Sequence, residues 1–167
     1  MTVNYLPLIA EKEVGFRTSA ALLGTPDGRY LMQWRDDDPQ IYFPDSFGLF
    51  GGALEEGEGP EAGLRRELLE ELELRLEASD ISYFSQLVFD SIYADGTPRH
   101  RYYFEVPIDS GVIDTLVLHE GAAMKLMTAE EIAGECFRFI PYDFAIVRLH
   151  ILLRQTRECG GSVKMIS

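Results

Sequence analysis

The stretch Gly52-Ala-Leu-Glu-Glu-Gly-Glu-Gly-Pro-Glu-Ala-Gly-Leu-Arg-Arg-Glu-Leu-Leu-Glu-Glu-Leu-Glu-Leu74 decides how the rest of the chain is read. Its second half has the period of a helix. Proline suits the first turn, so the helix is expected to begin near Pro60, and Glu61 is favourable at its N-terminus. Leu64, Leu68 and Leu72, with Leu69 beside them, form the stripe that seeks burial. Next to that stripe stand Glu67, Glu70 and Glu71, at i, i+3 and i+4. Carboxylates at this spacing share one side of the helix and mildly destabilise it when nothing cationic is near. Either they are the wet side of an acidic protein, or a cation belongs against them.

The whole chain is acidic. Its 167 residues carry a formal net charge of -13, which argues against electrostatic binding to a nucleic-acid backbone or to an anionic membrane surface. A small polyanion could still bind, given a metal ion or a few placed arginines. The length suits a single domain, residues 1–167, large enough to bury a core without staples. Two cysteines, Cys136 and Cys159, make neither a disulfide framework nor a zinc site and read as reduced thiols. The N-terminal residues lack a basic segment followed by a long apolar run, so no signal peptide is expected, and no apolar stretch has membrane-spanning length. The expected location is the cytoplasm.

Outward from the opening stretch, Val14 to Leu23 reads as a strand, Thr25-Pro26-Asp27-Gly28 as a turn, and Tyr30 to Arg35 as the returning strand. Asp36 to Ser46 is a proline-bearing loop. Phe47 to Ala53 mixes apolar residues with three glycines, which suggests a short strand whose backbone approaches something closely. Ile81 to Ile92 and Arg99 to Ile108 read as a second, longer hairpin joined through Ala94-Asp95-Gly96-Thr97-Pro98. Leu116 to Leu118 and Ala123 to Met127 are expected as short strands flanking His119-Glu120-Gly121. Thr128-Ala129-Glu130-Glu131 has the form of a capping box, and Pro141 to Arg157 closes the chain as a helix with Phe144, Val147 and Ile151 on one face.

The spacing within the opening stretch is specific. Five residues separate Gly52 from Glu58, and seven more precede Arg66-Glu67; Glu70-Glu71 follow after two leucines, and Leu74 closes it. This resembles the Nudix box, the signature of Nudix hydrolases, and the order of strand, hairpin, box helix, long hairpin and C-terminal helix is similar to that family too. The resemblance implies an α/β/α sandwich with a mixed, partly antiparallel sheet between the box helix and the C-terminal helix. It implies hydrolysis of a phosphoanhydride bond with Mg²⁺, for which Mn²⁺ is a possible substitute; Mg²⁺ prefers oxygen ligands and is reached through a few carboxylates plus substrate phosphates and waters. Residue by residue, Glu67, Glu70 and Glu71 match the family's metal-binding glutamates, and Gly52 matches the glycine whose carbonyl often joins them. Glu58 and Arg66 match positions that hold the loop and helix in register. Glu67 and Glu70 are the candidates for catalysis within the box, and Glu120 is the candidate for a further acidic residue on a loop after the long hairpin, with Glu105 as its rival. The final box glycine is Glu73 here, so the helix is expected either to run on towards Leu76 or to end under strain.

The favoured substrate is a nucleoside diphosphate linked to another moiety, with a nucleotide sugar suggested by the residues Phe43 to Gly52 that lead into the box. A housecleaning nucleoside triphosphate pyrophosphohydrolase and a non-catalytic nucleotide-sensing module are the alternatives. The expected partners are a small nucleotide and, as a possibility, a second copy of the chain. His100 and His119 read as strand or surface histidines, since imidazole suits softer ions. Trp34 and Tyr42 read as packing residues, and Arg17, Arg35, Arg99 and Arg101 as surface arginines able to meet a phosphate.

Overall fold

A computed structural model describes residues 15–90 and 98–158. The strands are β1 Phe16–Gly24, β2 Tyr30–Trp34, β3 Phe47–Gly48, β4 Ser82–Asp90, β5 Pro98–Pro107 and β6 Ala123–Met127. The helices are α1 Pro60–Leu72, α2 Ser110–Ile113, α3 Ala129–Gly134 and α4 Pro141–Glu158. The fold is mixed α/β. By internal contact the chain forms two compact units, the first containing the described residues up to Ala21 and those of Phe50–Val106, the second those of Leu22–Leu49 and from Pro107 onward.

In the first unit β1, β5 and β4 lie side by side in that order. β4 and β5 pair antiparallel from Ser82↔Glu105 to Asp90↔Pro98, with a register shift between Tyr83 and Ser85. The connection expected at 94–97 lies outside the described residues. On β1, the segment after β3 runs as an antiparallel partner: Thr18 faces Ala53, and the N–H groups of Ser19, Ala21 and Leu54 donate to the carbonyls of Gly52, Phe50 and Arg17 at 2.9 Å each. The glycine-rich run is therefore a partner strand that approaches closely, as its composition suggested. Gly51, at φ 125°, has no room for a side chain against the Ser19 carbonyl. α1 buries Leu64, Leu68 and Leu72 completely, the stripe read from its period.

In the second unit β2 pairs antiparallel with β3 through Gln33↔Gly48 and Trp34↔Phe47, and with β6 from Tyr30↔Met127 to Trp34↔Ala123. Its first residue meets the end of β1 at Gly24↔Tyr30 across the Thr25–Gly28 turn, where Gly28 takes φ 89°. Tyr30, Leu31, Met32 and Gln33 are all buried, as a strand covered on both faces requires. The capping box forms as read: the Glu131 N–H donates to Thr128 Oγ1 at 3.2 Å and the Thr128 N–H to Glu131 Oε2 at 2.8 Å. On α4, Val147 and Ile151 are buried with Ile146. Leu116 to Leu118 do not form a strand, and the short helix α2 just before them carries no sequence signal strong enough to be read.

α1 ends at Leu72 and does not run on to Leu76. Glu73 turns the chain in the left-handed region, φ 56° and ψ 20°. Its N–H donates to the Leu69 carbonyl at 3.0 Å and that of Leu74 to the Leu68 carbonyl at 3.1 Å, and the bond from Glu73 closes the helix in the manner of an αL cap without the usual glycine.

Candidate functional site

Gly52, Glu58, Arg66, Glu67, Glu70 and Glu71 all belong to the first unit, and Arg66 gathers three of the carboxylates. Its Nε and Nη2 reach the two oxygens of Glu58 at 3.2 and 3.0 Å, while Nη2 also donates to the Ala53 carbonyl at 2.8 Å. Its Nη1 donates to Glu67 Oε1 at 2.8 Å and to Glu70 Oε2 at 3.1 Å. One guanidinium thus ties the loop before the helix to the helix itself. A planar, five-donor group can do this and an ammonium cannot. The Glu58 carboxyl is held below the ordinary glutamate range, first by the Arg66 hydrogen bond and then by the Glu55 N–H, and Arg66 is held still more firmly protonated, first by Glu58.

The three helical glutamates have different surroundings. The Glu70 side chain is 59% exposed and that of Glu67 15%. Glu71 is buried and turns to the backbone, where its Oε2 accepts from the Gly51 N–H at 2.8 Å. Spacing alone grouped them as one cluster; in the fold Glu67 and Glu70 share a cationic partner, and Glu71 secures the glycine turn.

A cation fits this arrangement on two observations. Glu67 and Glu70 already present one oxygen each to a single positively charged N–H₂ group. The Glu67 carboxylate also lies directly over Gly52: a Cβ built there would stand 2.5 Å from Oε2 and 2.6 Å from Cδ. Only glycine leaves that space for the carboxylate. The donors are hard oxygens, which matches Mg²⁺ or Mn²⁺. Among the described residues no three His, Cys, Asp or Glu side chains cage an ion by themselves; the carboxylates are drawn to Arg66 instead. The Gly52 carbonyl accepts from the Ser19 N–H and keeps a second lone pair.

Glu120 belongs to the second unit. Its backbone carbonyl accepts from Gln33 Nε2 at 3.2 Å, and it lines a small cavity of about 150 Å³ with Gln33, Arg35, Asp36, Ile41 and Gly121. Gly121, at φ 95°, passes too close to the Trp34 carbonyl for any side chain, as the turn reading required. Glu105 lies half-buried on β5 opposite Ser82. His100 is buried and stacked on Tyr102 at 4.0 Å, and His119 is exposed. Trp34 packs edge-on against Phe47 at 4.3 Å, with the Arg138 guanidinium over its ring, and Tyr42 packs against Phe43. The arginines Arg17, Arg99 and Arg101 lie over the rings of Tyr102, Phe16 and Tyr103.

Two contributors escaped the sequence reading. Gly63, inside α1, leaves room for Leu54 and Glu58 to press onto the helix, although a mid-helix glycine disfavours the helix by about 1 kcal/mol. Ser19 lies opposite Gly52 on β1. Neither stands out in a one-dimensional pattern, because a small residue draws notice only when its neighbours are known.

The family model described as NUDIX domain matches residues 16–148. The chain is 39% identical over 147 residues to the nucleoside triphosphatase NudI of Escherichia fergusonii, a match spanning 87% of this chain and 96% of that protein. Among solved structures, the dihydroneopterin triphosphate pyrophosphohydrolase of E. coli superposes with a TM-score of 0.62 at 19% identity, covering 82% of this chain and 95% of that one. The bifunctional NMN adenylyltransferase/ADP ribose pyrophosphatase of Francisella tularensis, complexed with AMP and a Mn ion, superposes with a TM-score of 0.63 at 22% identity, over 87% of this chain and 43% of that one.

Proposed function

The chain belongs to the Nudix family of hydrolases and acts on phosphoanhydride bonds, and from that premise we propose that it uses Mg²⁺, with Glu67 and Glu70 as carboxylate ligands beside the Gly52 carbonyl, to cleave a nucleoside triphosphate. The observation that carries the site is the convergence of Glu67 and Glu70 on one cationic group, with Glu67 seated over Gly52. A divalent cation there supplies neutralisation of phosphate charge and a lowered pKa for a bound water. The chain's own residues do the rest. Arg66 holds Glu58 and the Ala53 carbonyl, which fixes the loop against α1. Glu71 holds the Gly51 N–H, which keeps the neighbouring Gly52 carbonyl aimed. Within the first unit Glu67 or Glu70 takes the proton from the attacking water.

The triphosphate is favoured by the relative that is 39% identical over nearly the full length of both chains and is named for that activity. The second reading, a nucleoside diphosphate linked to another moiety, rests on the Phe43–Gly52 segment that leads into the box. We read residues 1–167 as one domain of this type, working in the cytoplasm. No helix of the described residues is long and apolar enough to cross a membrane.

The test is a substrate panel of nucleoside triphosphates, nucleotide sugars, ADP-ribose and dinucleoside polyphosphates, assayed with Mg²⁺, with Mn²⁺ and with EDTA. A triphosphate is expected to give the highest kcat/KM, EDTA to abolish turnover, and either cation to restore it. Robust turnover by the pure protein in EDTA overturns the metal assignment; a tenfold or greater preference for a diphosphate derivative overturns the triphosphate assignment alone.

A further inference from the structure

We infer that Ser19 is a positioning residue for Glu67: its hydroxyl supplies a hydrogen bond to the Glu67 carboxylate on the side facing Gly52 through one bound water. The inference rests on the reading of Glu67 as a metal ligand and adds a partner that no motif contains. Ser19 lies on β1 and is fully buried, yet its Oγ has no hydrogen-bond partner among the described residues. A buried hydroxyl without a partner costs stability, and such a group in a well-packed strand calls for an explanation.

Its place supplies one. Thr18 faces Ala53 in the antiparallel pairing, and the Ser19 N–H donates to the Gly52 carbonyl at 2.9 Å. Ser19 and Gly52 therefore stand opposite each other, and opposed residues in an antiparallel pair present their side chains to the same face, with Cβ atoms about 5 Å apart. On that face of Gly52, where a Cβ would be, the Glu67 carboxylate lies at 2.5 to 2.8 Å from the Cβ position. The Ser19 side chain thus projects to the same face as the Glu67 carboxylate, whose Oε1 is bound to Arg66. With a cation held by the Glu67 carboxylate, a hydrogen-bond donor on this face would limit rotation of the carboxylate. A carbon or a larger polar side chain in place of the hydroxyl could not do so within a fully buried strand position.

The bland alternative is a small core residue whose hydroxyl is idle. The two differ in what Ser19→Ala does. An idle buried hydroxyl replaced by a methyl leaves stability equal or higher and changes nothing else. A positioning hydroxyl gives the same melt but a weaker metal grip, and outer-sphere partners of this type are worth roughly 10- to 100-fold in metal affinity. The experiment titrates Mn²⁺ into the full chain, reading free ion by electron paramagnetic resonance, for the parent, Ser19→Ala, Glu67→Gln and the double variant, with melts recorded in EDTA. The expected result is Mn²⁺ binding about tenfold weaker in Ser19→Ala, a melt at or above that of the parent, and little further loss when Ser19→Ala is added to Glu67→Gln. Parent-like Mn²⁺ affinity in Ser19→Ala, where Glu67→Gln weakens it, overturns the role of Ser19 and leaves the metal site standing. Fully additive losses overturn it as well, since Ser19 would then act independently of Glu67. Parent-like affinity in Glu67→Gln overturns the site assignment itself, and the role of Ser19 with it.

Discussion

At the scale of single residues, the box helix separates carboxylates that look alike. Glu70 and Glu73 both carry one negative charge on or beside α1, and their glutamine replacements keep nearly the same shape. Only Glu70 shares the Arg66 Nη1 group with Glu67; Glu73 lies past the last helical residue. Losing a ligand loosens the cation and misplaces the phosphate it clamps. Glu70→Gln is therefore expected to lower kcat/KM by about 10²-fold or more, or about 3 kcal/mol of transition-state stabilisation, and Glu73→Gln to stay within about threefold of the parent. The loss in Glu70→Gln does not come from the broken ion pair with Arg66, because that pair is more than half exposed on the glutamate side and such pairs contribute little. Steady-state kinetics on the two variants decides it: equal losses, or a fully active Glu70→Gln, remove Glu70 from the site.

At the scale of elements, the informative place is the end of α1. A non-glycine residue in the left-handed region is strained by about 1–2 kcal/mol, and Glu73 occupies it at φ 56°. Its negative charge also sits at the end of the helix where the dipole is negative. Glu73→Gly is expected to raise stability by about 1 kcal/mol, the released strain being partly offset by the greater freedom of glycine in the unfolded chain. Urea unfolding with an unchanged m-value measures this, and an equally stable or less stable variant contradicts it. The strained end was one of two outcomes legible from the missing glycine, and the cap hydrogen bonds from Glu73 and Leu74 selected it. The failure at Leu116 to Leu118 has a related cause: three apolar residues satisfy a strand pattern, but a strand needs a neighbour, and β6 rather than this segment pairs with β2.

At the scale of the whole molecule, a formal net charge of -13 makes any cation weakly stabilising through screening, so a specific site must be separated from it. A ligand that binds only the folded state stabilises by mass action: at ten times its Kd, Mg²⁺ adds about 1.4 kcal/mol. For a chain of this length that raises Tm by roughly 3–5 °C. The rise is expected in Mg²⁺ over EDTA, clearly smaller in NaCl of equal ionic strength, and reduced in Glu67→Gln. An equal rise in NaCl would identify α1 as a merely solvated acidic face.

By itself the sequence determined the family, the box helix with its buried leucine stripe, the Thr25–Gly28 turn, the Thr128 capping box and the identities of the candidate ligands. These rest on spacing along one element or on turn chemistry within a few residues, which the chain carries wherever it folds. Only the tertiary structure decided that Glu71 faces the Gly51 N–H while Glu67 and Glu70 share Arg66, that Glu67 lies over Gly52, and that the buried hydroxyl of Ser19 stands opposite that glycine. Each of these joins segments far apart in the chain through backbone pairing and close packing, and a sequence pattern of fixed local period does not encode which distant atom a side chain will meet.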